Sequence, residues 1–385
     1  IETLLFSFTL GITLIDFFML LAGKSGIPLD GRLIALFLLG ILAIGGVLRH
    51  RKHRLMSVSD TAHSQPFLRT KTERLLFFTL FALTLFLKTL SLSNTIVPTA
   101  TDLGHHLYWA KAITETHRLP VYQEHKVIDQ PESIRLSEPE PIADFIVGEH
   151  LPFAALAFLT DTDFFSAAPV VFLLLINVLG LLVLVILAYR IVDASSLRKL
   201  IRPELVALSL LFLCGPLYTL ASPQAKFISG GVIGNVIGNL LIPLILLLFL
   251  RAFHEKDSRL SGLGILFTFT LIYTHHLSTL ILLYILVGTL LFSVISFSGH
   301  LKIFLSRIIS VLFRPTPLIL LLLSGLFFFL VVMPTYIETR AVGTAIGTPT
   351  KLTRIGLTFS QITGTSGEVR FTLGIIGLIL VSAAF

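Results

Sequence analysis

Long apolar runs alternate with short polar connectors along most of the chain. Runs near membrane-crossing length occupy 3–22, 32–48, 75–92, 167–189, 204–221, 232–250, 260–274, 277–296, 316–334 and 371–385. In lipid every backbone N–H and C=O needs a partner within the protein, so such runs predict helices. None shows the period-two alternation of a barrel strand. The last run ends at Phe385, short of the roughly 20 residues a spanning helix needs, so the chain reads as part of a longer protein. The expected fold is all-α, a polytopic transmembrane bundle in three parts. A two-span hairpin with a basic loop covers 1–74, a core covers 75–190, and further bundle covers 191–385.

One long polar segment, 93–166, interrupts the pattern. Its stretch "TATDLGHHLYWAKAITETHRLPVY" (99–122) carries Leu103, Leu107, Ala110 and Ile113 at helical spacing, with Tyr108 and Trp109 beside them. That spacing predicts an amphipathic helix lying in the headgroup region. Asp102 is placed to cap its N-terminus.

Composition changes the picture only at the margins. With 54% hydrophobic and 13% charged residues, and a mean hydropathy of +0.91, a soluble domain cannot hide its apolar surface. The formal charge of +7 would suggest nucleic acid in a soluble chain. Here the basic residues flank apolar spans, where anionic lipid explains them, and nucleic acid is set aside. The single cysteine, Cys214, lies in an apolar run, so there is no disulfide framework.

The connectors assign sides. Arg49, Arg51, Lys52, Arg54, Arg69, Lys71 and Arg74 make the loop after the second span strongly basic. Alternate connectors continue the trend with Arg190, Arg198, Lys199 and Arg202; Arg251, Lys256 and Arg259; and Lys302, Arg307 and Arg314. By the positive-inside rule these connectors are cytoplasmic. The segment 93–166, the pair His275–His276 and the loop 335–370 then fall on the extracytoplasmic face of a plasma membrane. In 93–166 acids outnumber Lys and Arg.

The candidate chemistry gathers on that face. Asp102 suits a general base at the lipid surface, and His105 and His106 follow it by about one helical turn. An Asp and a His so spaced can hold a divalent metal, Mg or Mn, which makes Asp102, His106 and Glu149 the candidate ligands. In "GEHLPF" (148–153), Glu149 and His150 precede a proline. The bland reading there is a helix start, the sharp one a second catalytic acid. His275 and His276 sit between two closely spaced spans, where ionisable groups usually face a bundle interior or a watery cavity. Gly230, Gly234 and Gly238 recur every four residues, spacing that favours close helix packing. Lys226 beside them and Arg340 in the last outer loop are candidate substrate or phosphate ligands, together with His105, His106, His150, His275 and His276. "GKSG" (23–26) lacks the upstream glycine and preceding strand of a phosphate-binding loop and is rejected.

"TDLGHHLYWAKAITETHRLPVY" after a span, then "GEHLPFAALAFLTDTDFF", then the apolar run from Ala167, together resemble the GT-C superfamily of membrane glycosyltransferases. The resemblance covers about 95–190. It implies an enzyme that takes a sugar from a polyprenyl-phosphate-linked donor and passes it to a glycan, lipid or protein acceptor. It also implies Asp102 as catalytic acid/base and Glu149 as a second acid or metal ligand. Three alternatives stay open: a transporter or flippase for a lipid-linked or anionic solute, a lipid-linked polysaccharide polymerase or ligase of another fold, and a non-enzymatic scaffold.

Overall fold

The computed structural model of the chain describes residues 1–55, 67–92, 101–120, 123–124, 127–130, 133–138, 140–141, 147–221, 233–296, 301–334 and 360. The expected spans in this range are helical. They are α1 (Glu2–Lys24), α2 (Gly31–Leu55), α3 (Lys71–Leu92) and α6 (Ala168–Ala194). α7 (Pro203–Phe212) continues through a π-helical turn at Leu213–Leu217 into α8 (Tyr218–Ala221). Then come α9 (Ile233–Glu255), α10 (Ser258–Thr274), α11 (His276–Ser296) and α13 (Pro315–Phe327). The run 371–385 lies outside the described residues. Among the described residues, six helical stretches are long and apolar enough to cross a membrane, which makes this a helical bundle of multi-pass membrane type.

α6 is central to the bundle: α9 and α7 pack along it, and most of its apolar side chains are buried. Gly180 lets its backbone approach α9, where an added Cβ would lie 3.1 Å from the Asn239 carbonyl oxygen. Pro216 inside the π turn cannot donate to the helical ladder, and the widened turn absorbs that loss. α11 and α13 instead leave Leu283, Tyr284, Leu291, Leu322 and Leu326 exposed. An outward apolar belt of this kind is what lipid covers.

Three features depart from the expectations. α4 (Thr101–Thr116) exists, but its apolar stripe does not face lipid. Leu103, Leu107 and Ala110 are buried in the main core, and Ile113 in a second cluster with Met19, Leu151 and Tyr273. The spacing was sound, but protein rather than headgroups fills that face. Second, the segment after α4 carries two small antiparallel pairs, so the bundle is not purely α. β1 (Gln123–Glu124) pairs with β4 (Glu140–Pro141), and β2 (Val127–Gln130) pairs with β3 (Ser133–Leu136). Third, the connector after α11 contains an amphipathic helix, α12 (Leu301–Leu312), which at 12 residues is too short to read as a span.

The two ends of the bundle are chemically opposite. At one end Glu2 takes Arg190 at 2.7 Å and Arg251 at 2.6 Å, tying α1 to the ends of α6 and α9. Arg202 pairs with Glu73 there, and Arg69 with Glu204 at 2.9 Å. The other end carries α4, the 3₁₀ turn Val147–Glu149 and the α10–α11 junction. Gly234 and Arg251 mark the two ends of α9, and the rise between them is about 26 Å at about 1.5 Å per residue. That is close to the roughly 30 Å of a hydrocarbon core.

This separation predicts a labelling pattern. In a Cys214→Ala background, Glu138→Cys lies in the segment that leaves and re-enters at the α4 end. Arg198→Cys follows α6 at the ionic end. Membrane-impermeant maleimide should reach the two from opposite sides of an intact membrane. Labelling of both from one side would overturn the assignment of the ends.

Candidate functional site

The site is assembled from three chain segments held by unusually close backbone contacts. α1 ends beside α4, where the Leu29 N–H donates to the His117 carbonyl (2.8 Å) and the His117 ring meets the Leu29 oxygen at 2.7 Å. His117 has φ 56°, a left-handed residue just past the helix that stops α4. α5 (Leu151–Thr160) begins with His150 as N-cap and Pro152 in its first turn, where a missing N–H costs nothing. The turn before it lies against α10, and a Cβ on Gly148 would collide with the Tyr273 carbonyl.

Within this frame His106, Glu149 and His150 converge. His106 Nδ1 is 2.9 Å from Glu149 Oε1 and 3.0 Å from His150 Nε2, and His150 Nε2 is 3.5 Å from the same carboxylate oxygen. Glu149 and His150 are buried, and His106 is only 15% exposed. Among the described residues these three alone form a cluster whose ligand atoms could hold a metal ion. Glu149 Oε2 and His150 Nδ1 are buried with no hydrogen-bond partner. Orphaned polar atoms of this kind are rare in folded proteins and mark a strained or ligand-binding site.

A second layer closes over the carboxylate. His275, buried between α10 and α11, contacts the Ser278 hydroxyl through Nδ1 at 2.7 Å. Gly234 on α9 faces both groups, and a Cβ there would strike Glu149 Oε2 and the His275 ring. The four-residue glycine spacing therefore marks close packing as expected, and the surface that packs there is polar. Gly238 meets the Ser278 hydroxyl in the same way.

Burial, reinforced by His106 and His105, pushes the His150 imidazole well below its ordinary range. Burial also pushes His275 down to about 4, with His276 and His106 adding to the effect. Both rings are therefore neutral near pH 7, free to accept or donate one hydrogen bond per nitrogen.

The remaining expected residues fall elsewhere. α4 begins at Thr101, so Asp102 stands inside its first turn, one turn before His106, and not ahead of the helix as a cap; its side chain lies outside the described residues. His105 is exposed and accepts a hydrogen bond from the Trp109 indole at 3.0 Å. His276 is exposed beside the buried His275. Lys226, Gly230 and Arg340 lie outside the described residues. The sequence reading missed Asp16. It is buried on α1, with Oδ1 unpartnered, on a face shared with Thr9 and Thr13. Thr13 in turn meets Thr270, which the Tyr273 hydroxyl contacts. The signal was present as one acid at helical spacing from two threonines.

The role of Gly234 can be tested directly. Gly234→Ala overpacks the carboxylate and should cost about 1–3 kcal/mol, read as a lower Tm in nanodiscs. Gly288→Ala on α11, where no atom lies within 4 Å of the new Cβ, should leave Tm unchanged. Equal effects of the two changes would remove the close approach from the account.

Comparison of the chain with protein-family models, with curated proteins and with solved structures finds no match.

Proposed function

We propose that the protein is a membrane glycosyltransferase of GT-C type. On this reading it acts at the extracytoplasmic face of the plasma membrane, on a polyprenyl-phosphate-linked sugar and a glycan, lipid or protein acceptor. The observation that carries the reading is the buried Glu149 carboxylate with one oxygen shared by His106 and the other unpartnered. It sits at the end of the bundle opposite the ionic cluster, and its partner His106 follows Asp102 by one helical turn on α4. A lipid-linked donor delivers its reacting carbon at about headgroup depth, and an acid held there serves that chemistry.

The reaction needs few parts. The acceptor hydroxyl oxygen attacks the anomeric carbon, and the bond from that carbon to the phosphate oxygen breaks. The polyprenyl phosphate leaves with the bonding pair, and the hydroxyl proton passes to a carboxylate. Asp102 is the base in this scheme. Glu149, held by His106 and His150, is the second acid of the site or the ligand of a cation that steadies the leaving phosphate. A carboxylate held by two imidazoles and close-packed backbone needs little reorganisation as charge develops.

A transport reading rests on a different observation, the buried Asp16 stripe on α1, since intramembrane acids often line conduction paths. Substitutions separate the two. Asp102→Asn and Glu149→Gln should each lower sugar transfer from a polyprenyl-phosphate-linked donor by about 100-fold or more, with size-exclusion profile and Tm retained. Asp16→Asn should leave transfer intact. Full activity in both Asp102→Asn and Glu149→Gln would sink the glycosyltransferase reading. Substrate movement across vesicles that fails only in Asp16→Asn would establish the transport one.

A further inference from the structure

The contacts among His106, Glu149 and His150 cannot all be hydrogen bonds. His106 Nδ1 approaches two partners at once, Glu149 Oε1 at 2.9 Å and His150 Nε2 at 3.0 Å. An imidazole nitrogen either carries one proton or offers one lone pair. If Nδ1 carries the proton, that proton serves one contact well or both poorly. If Nδ1 accepts from His150, its lone pair faces the carboxylate. In a buried site this leaves one of two short polar contacts without a hydrogen between them. Two further atoms of the same cluster, Glu149 Oε2 and His150 Nδ1, are buried without partners.

We propose that these three side chains form a divalent metal site of the zinc class, with His106 Nδ1, Glu149 and His150 Nε2 as ligands. The geometry fits. Zinc binds imidazole nitrogen and carboxylate oxygen at about 2.0–2.2 Å. Separations of 2.9, 3.0 and 3.5 Å then correspond to ligand–metal–ligand angles between about 80° and 120° at those bond lengths. An ion equidistant from the three atoms sits about 1 Å out of their plane at such bond lengths, which leaves a coordination position open on its far side. Two imidazoles and one carboxylate with an open position is a ligand set that zinc takes in catalytic sites, whereas magnesium prefers oxygen ligands and retained water. This extends the sequence expectation: His150 joins His106 and Glu149 as a ligand, and the ligand set favours a borderline-soft cation over Mg or Mn. The close-packed surroundings serve such a site too. Gly234 and Gly148 bring the α9 and α10 backbones against it, which fixes the ligands' positions before an ion arrives.

The open position would take an anionic oxygen, such as a phosphate. That last step alone rests on the glycosyltransferase reading; metal binding does not. The test therefore measures binding and not transfer. The full chain in nanodiscs, stripped with chelator and titrated with zinc alone, should retain about one equivalent by elemental analysis after desalting. His106→Ala and His150→Ala should each weaken zinc binding by 10-fold or more. His105→Ala and His276→Ala, the exposed neighbours of the buried histidines, should leave it unchanged. Loss of zinc in the exposed-histidine variants as large as in the cluster variants would overturn the site, as would wild-type protein that retains none. If the cluster variants fail to fold, zinc K-edge absorption of the wild-type protein decides. Scattering from two imidazole rings supports the proposal, and a shell of oxygen alone contradicts it.

Discussion

The closeness of α9 to the turn before α5 is the constraint on which the site depends. Helices of ordinary side chains keep their axes about 8–10 Å apart. The absence of a Cβ at Gly234 lets the Glu149 carboxylate and the His275 ring occupy the surface of α9 itself. The same device at Gly148 presses the preceding turn against the last turn of α10. Backbone covers the polar groups on these sides, and they lie within reach of one another. They satisfy one another incompletely, and the shortfall is concentrated in Glu149 and His150. Unsatisfied buried groups cost about 1–3 kcal/mol each, so a bundle held mainly by apolar packing has a reason other than stability to keep them.

The second organising feature is the separation of charge. Glu2, Arg190 and Arg251 fasten three helices at one end through pairs buried enough to resist screening, each side chain being about a quarter exposed or less. Burial pairs of this kind bring little net stability, but leaving one partner alone is costly, so they fix which helix ends belong together. With that end tied, α1 runs the length of the bundle to the α4 end. There its connection to α2 is fastened to His117. The ionic end is tied to the histidine end through the lengths of α1 and α9.

Much of this was legible in the sequence. The apolar runs marked the spanning helices because hydropathy decides burial in lipid almost by itself. Leu103, Leu107, Ala110 and Ile113 marked a helix face correctly, but periodicity says only that a face is covered and not by what, so lipid was expected where protein lies. Glu149, His150, His106 and His275 were each singled out. His106 and Glu149 were grouped in advance, but the entry of His150 and the approach of His275 were not legible. They depend on α4 meeting the 147–150 turn across 44 residues of chain and on α9 meeting it from farther along still. The β pairs were missed because two- to four-residue strands carry no usable period. Asp16 was missed because one acid inside an apolar run looks like noise until its neighbours are known to be polar as well.

The central claim is that this buried cluster is where the lipid-linked substrate reacts. A diazirine-bearing polyprenyl phosphate, photoactivated with the protein in nanodiscs and mapped by peptide, tests it most directly. The account predicts labelling concentrated in the peptides containing 101–117 and 147–160, and suppressed by excess unlabelled polyprenyl phosphate. Labelling spread over the lipid-facing surfaces of α11 and α13, and indifferent to competitor, would contradict it.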